Sequence, residues 1–348
     1  MDTKTTPKIF LNKILAGTAT GIIVGLIPNA VLAAILKLFG DNALAVALGQ
    51  SAIIFQLATP LIIGTLIAHQ FDFKPMPMMV VGGAAFVGSG VVKFNAEVGE
   101  TGAYIGSGTG DIINTMITAA VAVVLIQFIG EKFGSVSIVL TPMIAGIGSG
   151  TVGFYLYPYV TKVTAAIGEG INTFTTLQPI LMSILISCSF ALLIISPIST
   201  VAIGMAIQLD GVAAGAAAMG VAATTIVLVV NSFRTNKPGV TFAIALGAMK
   251  MMMPNLFRKP IILVPCFITA IISAVPVAIF SISGTPASAG FGLVGIVGPL
   301  AALDHGLNGG LVILCWLFIP LACALASQVL CEKVLNLYNR KEVFEFLG

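Results

Sequence analysis

The sequence predicts an all-α polytopic membrane protein of about ten transmembrane helices with re-entrant hairpins. Three observations predict it. Only 8% of the 348 residues are charged while 58% are hydrophobic, against roughly a quarter charged in a soluble domain. Apolar runs of about 20 residues, the length that a helix needs to span hydrocarbon, recur from end to end. Those runs do not alternate with a period of two, which argues against a β-barrel. A chain so poor in charge cannot cover itself with a wetted surface, so the lipid bilayer is its expected environment and its work is expected inside it.

The first element is a run from Ile14 to Leu38 preceded by Lys4, Lys8 and Lys13. It is too long for the apolar core of a signal peptide and reads as an uncleaved first helix over 9–38. Further crossings are expected near 43–69, 76–94, 111–130, 135–157, 179–197, 211–232, 239–253, 261–283 and 309–331. The segment 160–178, with Lys162, Glu169 and several threonines, reads as an interfacial amphipathic helix. It would join two halves, 1–160 and 179–331, of a single transmembrane domain covering 1–348. Residues 332–348 mix charge with Leu335, Leu337, Val343 and Phe344 and read as a short cytoplasmic surface helix.

Basic residues orient the chain. Lys4, Lys8 and Lys13 place the N-terminus in the cytoplasm, and an even count of spans returns Lys333, Arg340 and Lys341 there. Arg258 and Lys259 fit a cytoplasmic loop, but Arg234 and Lys237 then fall outside. Either one span is miscounted or one segment re-enters without crossing. Candidates for broken segments are 198–209, 284–303 and the run Met251-Met252-Met253-Pro254-Asn255, where proline removes a backbone donor and stops a helix. Irregular backbone survives at membrane depth only where it is buried in protein or lines a cavity.

Four stretches carry polar groups suited to a ligand. In Gly106-Ser107-Gly108-Thr109-Gly110-Asp111-Ile112-Ile113-Asn114, glycines permit close backbone approach and Asp111 is placed to cap the next helix. Thr109, Asp111 and Asn114 are candidates there, with Glu97 and Glu100 in the preceding loop as acidic acceptors for hydroxyls; a plain N-cap at the surface would use the same residues. Ser196-Pro197-Ile198-Ser199-Thr200 looks like a discontinuous helix whose Ser199 and Thr200 could face a substrate, or a solvent-side turn. Asn255 offers a two-handed amide beside Arg258-Lys259-Pro260. Asp304-His305 is an ionisable pair between apolar runs, functional at membrane depth and merely a turn at the surface. Gly-Ser-Gly also recurs at 88–90 and 148–150, where close helix packing through small residues explains it.

Other classes find little support. The five cysteines lie mostly in apolar runs without a Cys-x-x-Cys pair and read as packing residues. The net charge of +3 is small and scattered, so no nucleic-acid partner is expected. The His-Glu-x-x-His, Gly-x-Ser-x-Gly and phosphate-loop signatures are missing. With His69 and His305 far apart, neither a metal site, nor a cofactor, nor a catalytic residue of the chain's own is expected.

Three strings together point to a known group. Gly108-Thr109-Gly110-Asp111-Ile112-Ile113-Asn114, Ser196-Pro197-Ile198-Ser199-Thr200 and Met253-Pro254-Asn255-Leu256-Phe257-Arg258-Lys259-Pro260 resemble the type-2-like EIIC membrane family of the phosphotransferase system, which includes perfringolysin O regulator proteins. The resemblance implies a permease-like fold with re-entrant hairpins, a homodimer in a bacterial inner membrane, and a sugar or sugar derivative as solute. It also implies a separate IIB protein, supplied in trans, as the phosphoryl carrier. The chain departs from glucose-type members: it lacks a Gly-Ile-Thr-Glu motif and a fused IIB domain, and it has one tryptophan, Trp316. Two rival readings are a membrane sensor acting on toxin or metabolic gene expression and an ion-coupled symporter.

Overall fold

The computed structural model of the chain describes residues 6–36, 39–40, 42–98, 101–130, 132–286 and 288–347; Lys4 and Glu100, singled out above, lie outside the described residues. The chain forms two compact units, 1–163 and 164–347, with a boundary inside one continuous helix.

The first unit contains α1 (Pro7–Leu36), α2 (Ala43–Leu57), α3 (Thr59–Gln70), α4 (Pro75–Gly88), a hairpin of β1 (Val92–Asn95) and β2 (Ala103–Gly106), α5 (Ile112–Ile129), α6 (Ser137–Thr141) and the start of α7 (Gly148–Asn172). In α1, Gly17, Gly21 and Gly25 form a row at helical spacing. A Cβ on any of them would strike Ile67, Ile63 or Thr59 of α3. Packing without side chains between two backbones is how helices associate where no water is available to drive them together. Around this seam a core of Ile63, Ile67, Val81, Ala84, Ala119, Ala122 and Val123 is closed to solvent.

The second unit contains α8 (Pro179–Ile195), α9 (Thr200–Ala206), α10 (Gly211–Ser232), α11 (Pro238–Leu246), α12 (Met253–Arg258), α13 (Leu263–Ile279), α14 (Val297–Asp304), α15 (Gly309–Ile313), α16 (Ile319–Val329) and α17 (Arg340–Phe344). Helix α10 is its axis. Eighteen of its residues are buried, and Gly220 meets the carbonyl of Ser187 in α8 so closely that no side chain would fit. A helix apolar all round is one buried on all sides.

The membrane character follows from length. Six helical stretches among the described residues are long and apolar enough to cross a bilayer: Pro7–Leu26, Ile112–Ile129, Gly134–Thr176, Gly211–Ser232, Pro260–Ile279 and Gly309–Val334. The pair α2 and α3, bent by 49°, brings the number to as many as seven. Helices α4 and α8 are apolar but shorter, at 14 and 17 residues. The chain is therefore a multi-pass helical membrane protein.

Three local expectations are corrected. The stretch 76–94 ends as a helix at Gly88, and β1 pairs antiparallel with β2, Phe94 facing Tyr104. Their rings meet edge to face at 5.3 Å, a cross-strand aromatic pair that favours the hairpin. The helix expected to stop near 157 runs through Pro158 to Asn172. Finally, 239–253 is not one helix. Helix α11 has nine residues and stops at Gly247, whose φ of 129° is closed to other residues; a 3-10 turn, Met249–Met252, and α12 follow.

Nine residues rise only about 14 Å, half of the hydrocarbon thickness. Both ends of the segment also meet the same C-terminal strap: Asn236 Nδ2 donates to the carbonyl of Phe344 at 2.7 Å, and Asn255 Nδ2 to that of Val343 at 2.8 Å. The segment 236–259 thus leaves and returns at one end of the unit. Arg234 and Lys237 therefore share that end with Arg258 and Lys259.

Candidate functional site

Helix α8 ends because Pro197 follows Ser196. Ser196 Oγ turns back to donate to the carbonyl of Leu193 at 2.8 Å and accepts the N–H of Ile198 at 3.2 Å, closing a tight break. Helix α9 restarts at Thr200, whose Oγ1 donates to the carbonyl of Gly290 at 2.8 Å. The last carbonyls of a helix have no partner within it. The carbonyls just past the end of α8 are met from elsewhere in the chain: Lys250 Nζ donates to those of Ser196 at 2.5 Å and Ile198 at 2.8 Å.

Lys250 comes from the 3-10 turn between α11 and α12 and is 8% exposed. Its ammonium sits where the dipole of α8 ends in partial negative charge, the favourable pole for a cation. None of the three ion pairs among the described residues includes it. The sequence reading singled out Asn255 in this region and passed over Lys250. The available signal was a single charge set among Met249, Met251, Met252 and Met253, since an ionisable group in an apolar stretch is a functional candidate by default.

Beyond α9, a cleft of about 360 Å³ is lined by Asn172, Thr175, Met182, Gln208, Leu209, Asp210, Val212 and Ala213. Gln208 takes a positive φ of 51° and its Nε2 donates to the carbonyl of Met205 at 2.7 Å. Four of the eight lining residues bear amide, hydroxyl or carboxylate groups, the chemistry that polyols pair with. Break, short helix and polar cleft follow one another along 196–213.

The other sequence candidates of this unit separate. Ser199 is half-buried at the break beside Thr200. Asn255 is buried and its amide is engaged by the carbonyls of Val343 and Glu345, at 2.8 and 2.7 Å. Asp304 and His305 are exposed at the end of α14, where His305 Nδ1 lies 2.7 Å from the carbonyl of Ala301.

In the first unit, Thr109, Asp111 and Asn114 share one turn. Gly108 and Gly110 both take φ of 66°, and Asp111 N donates to the carbonyl of Ser89 at 2.8 Å. Asp111 caps α5 by accepting the N–H of Asn114 at 2.8 Å. The half-buried Thr109 turns its Oγ1 to the carbonyl of Gly110 at 3.4 Å. Asn114 is fully buried; its amide donates to the carbonyls of Gly88 at 2.5 Å and Gly153 at 2.8 Å, so it staples three helices. Glu97 is exposed in the hairpin connection, where its N–H donates to Asn95 Oδ1 at 2.9 Å. Among the described residues no three of His, Cys, Asp and Glu gather as metal ligands.

Comparison with known proteins gives one match. The family model described as Phosphotransferase system, EIIC fits residues 12–344. No curated protein and no solved structure matches the chain. The family model spans nearly the whole length and agrees with the apolar helices: the chain belongs to the phosphotransferase system EIIC family of membrane-embedded permease components.

Proposed function

We propose that the chain binds and translocates a small polar solute, a sugar or sugar derivative, as the IIC component of a phosphotransferase-type permease in a bacterial plasma membrane. Both termini would lie in the cytoplasm, two copies would associate, and a IIB protein in trans would carry the phosphoryl group. The observation that supports this best is the interrupted path α8–break–α9, stabilised by Lys250 and Thr200 and continuing to the polar cleft. Discontinuous helices supply freed backbone groups and hydroxyls to a substrate, and alternating access then moves one bundle against another. Ser199 and Thr200 at the break and Asn172, Gln208 and Asp210 in the cleft are the groups offered to the solute. In the same proposal Thr109, Asp111, Asn114, Asn255, Asp304, His305 and Glu97 act more remotely, by holding helices or facing water.

The test is thermal unfolding of the purified chain against sugars, sugar acids, nucleosides and amino acids, followed by uptake into sealed vesicles with and without phosphotransferase proteins. A ligand at about 100 times its dissociation constant raises stability by roughly 2.7 kcal/mol. Uptake that requires the phosphotransferase proteins supports the reading. Uptake driven by an ion gradient without them makes the chain a symporter, and binding without uptake makes it a sensor.

A further inference from the structure

Lys250 is the buried charged side chain among the described residues, and nothing of opposite sign accompanies it. Three other basic groups face carboxylates: Lys13 faces Asp72, Lys259 faces Glu342 and Arg340 faces Glu332. The groups beside Lys250 are neutral and already engaged. Ser196 Oγ gives its hydrogen to Leu193, and Thr200 Oγ1 gives its own to Gly290. The carbonyls of Ser196 and Ile198 accept two hydrogens from Lys250 Nζ, and its charged form carries a third. Carbonyl dipoles offset part of the cost of desolvating a cation but carry no net charge, and a buried ion without a counter-ion is strongly unfavourable.

We infer that the solute taken at this break carries an anionic oxygen, a carboxylate or phosphate on a hydroxylated carbon frame, which accepts the third hydrogen of the Lys250 ammonium. This rests on the reading of the break as the solute site and narrows its substrate class. An ammonium is a compact point charge that suits either headgroup. Charge-assisted hydrogen bonds of this kind are about twice as strong as neutral ones. The hydroxyls of the frame would fall to Ser199 and the polar cleft lining.

The test uses matched pairs on the purified full chain in a detergent without a sugar headgroup, at constant ionic strength set with chloride. Thermal unfolding is followed with gluconate against sorbitol, glucuronate against glucose, and glucose 6-phosphate against glucose. At least one acid should bind about tenfold or more tightly than its neutral partner, a difference of about 1.4 kcal/mol. The carboxylate and phosphate arms then name the headgroup. Lys250→Met should abolish the preference, and Lys250→Arg, which keeps a cation, should retain it. Should Lys250→Met not fold, the wild-type pairs and Lys250→Arg decide. Neutral partners binding as tightly as the acids, or a preference that survives in Lys250→Met, would overturn the inference and leave the permease reading standing. Absence of binding by every compound would overturn both.

Discussion

The side-chain amide of Asn255 donates to the main-chain carbonyl of Val343 at 2.8 Å. It also reaches Glu345, while Asn236 exchanges two bonds with Phe344 and Phe346. Two asparagines flanking the re-entrant segment thus hold the main chain of one C-terminal strap, whose Phe344 is closed to solvent. Replacing Asn255 with Ala leaves two carbonyls without donors and should cost about 1–3 kcal/mol. Unfolding in denaturant measures it, and limited proteolysis should show earlier cleavage after residue 338. Stability equal to that of the parent would mean that water replaces the amide without loss.

Re-entry makes a sidedness prediction. Lys237 and Arg258 are exposed and flank a segment that both leaves and returns at the strap. Single cysteines at these two positions should react with a membrane-impermeant maleimide from the same side of sealed vesicles. Labelling from opposite sides would establish a crossing at 239–253 and sink the re-entrant assignment.

Composition was enough to recognise a membrane-embedded helical chain, because lipid imposes one rule on every span. The failures in the sequence reading are local. Helix α11 looked like a crossing because 239–253 is apolar apart from Lys250, but it stops at Gly247, whose φ of 129° suits glycine and where a Cβ would strike Val294. Asn114 was singled out because it follows a glycine-rich turn. Its partners in the fold, Gly88 and Gly153, lie 26 and 39 residues away, and no local pattern announces that meeting. The Ser-Pro break at 196–200 was legible because proline acts on its own neighbours. Lys250, which meets that break from 54 residues on, was not.

The Asn114 staple can be tested by mutation. Asn114→Ala should destabilise the first unit by about 1–3 kcal/mol through its two lost buried hydrogen bonds, the carbonyl of Gly88 at the end of α4 being left without a donor. Gly153→Ala should cost a similar amount, about 1–3 kcal/mol, by overpacking, since its new methyl would strike Thr118 and the Gly88 backbone. Thr118→Ala removes one of those obstacles, so the double variant should recover part of the loss. Strictly additive losses in a double-mutant cycle would refute the contact.

Alkaline pH should loosen the C-terminal strap through Tyr338. Its hydroxyl is buried without a hydrogen-bond partner among the described residues, and its ring lies 5.8 Å from that of Phe344. Burial is the main cause that pushes its ionisation above the ordinary tyrosine range; Cys331, Cys266 and Glu332 add to the rise and Arg340 opposes it. A raised folded value means that the folded state holds the proton more tightly. The resulting stability is fully present below the unfolded value of about 10, and it is lost as pH climbs from there toward the folded value. Tyr338→Phe keeps the ring and removes both the orphaned hydroxyl and the proton. Near neutral pH the variant should be at least as stable as its parent. Above about pH 10 its unfolding midpoint should fall less steeply, because the remaining titrations are common to both chains. Parallel pH profiles would show that the hydroxyl meets water in the folded state.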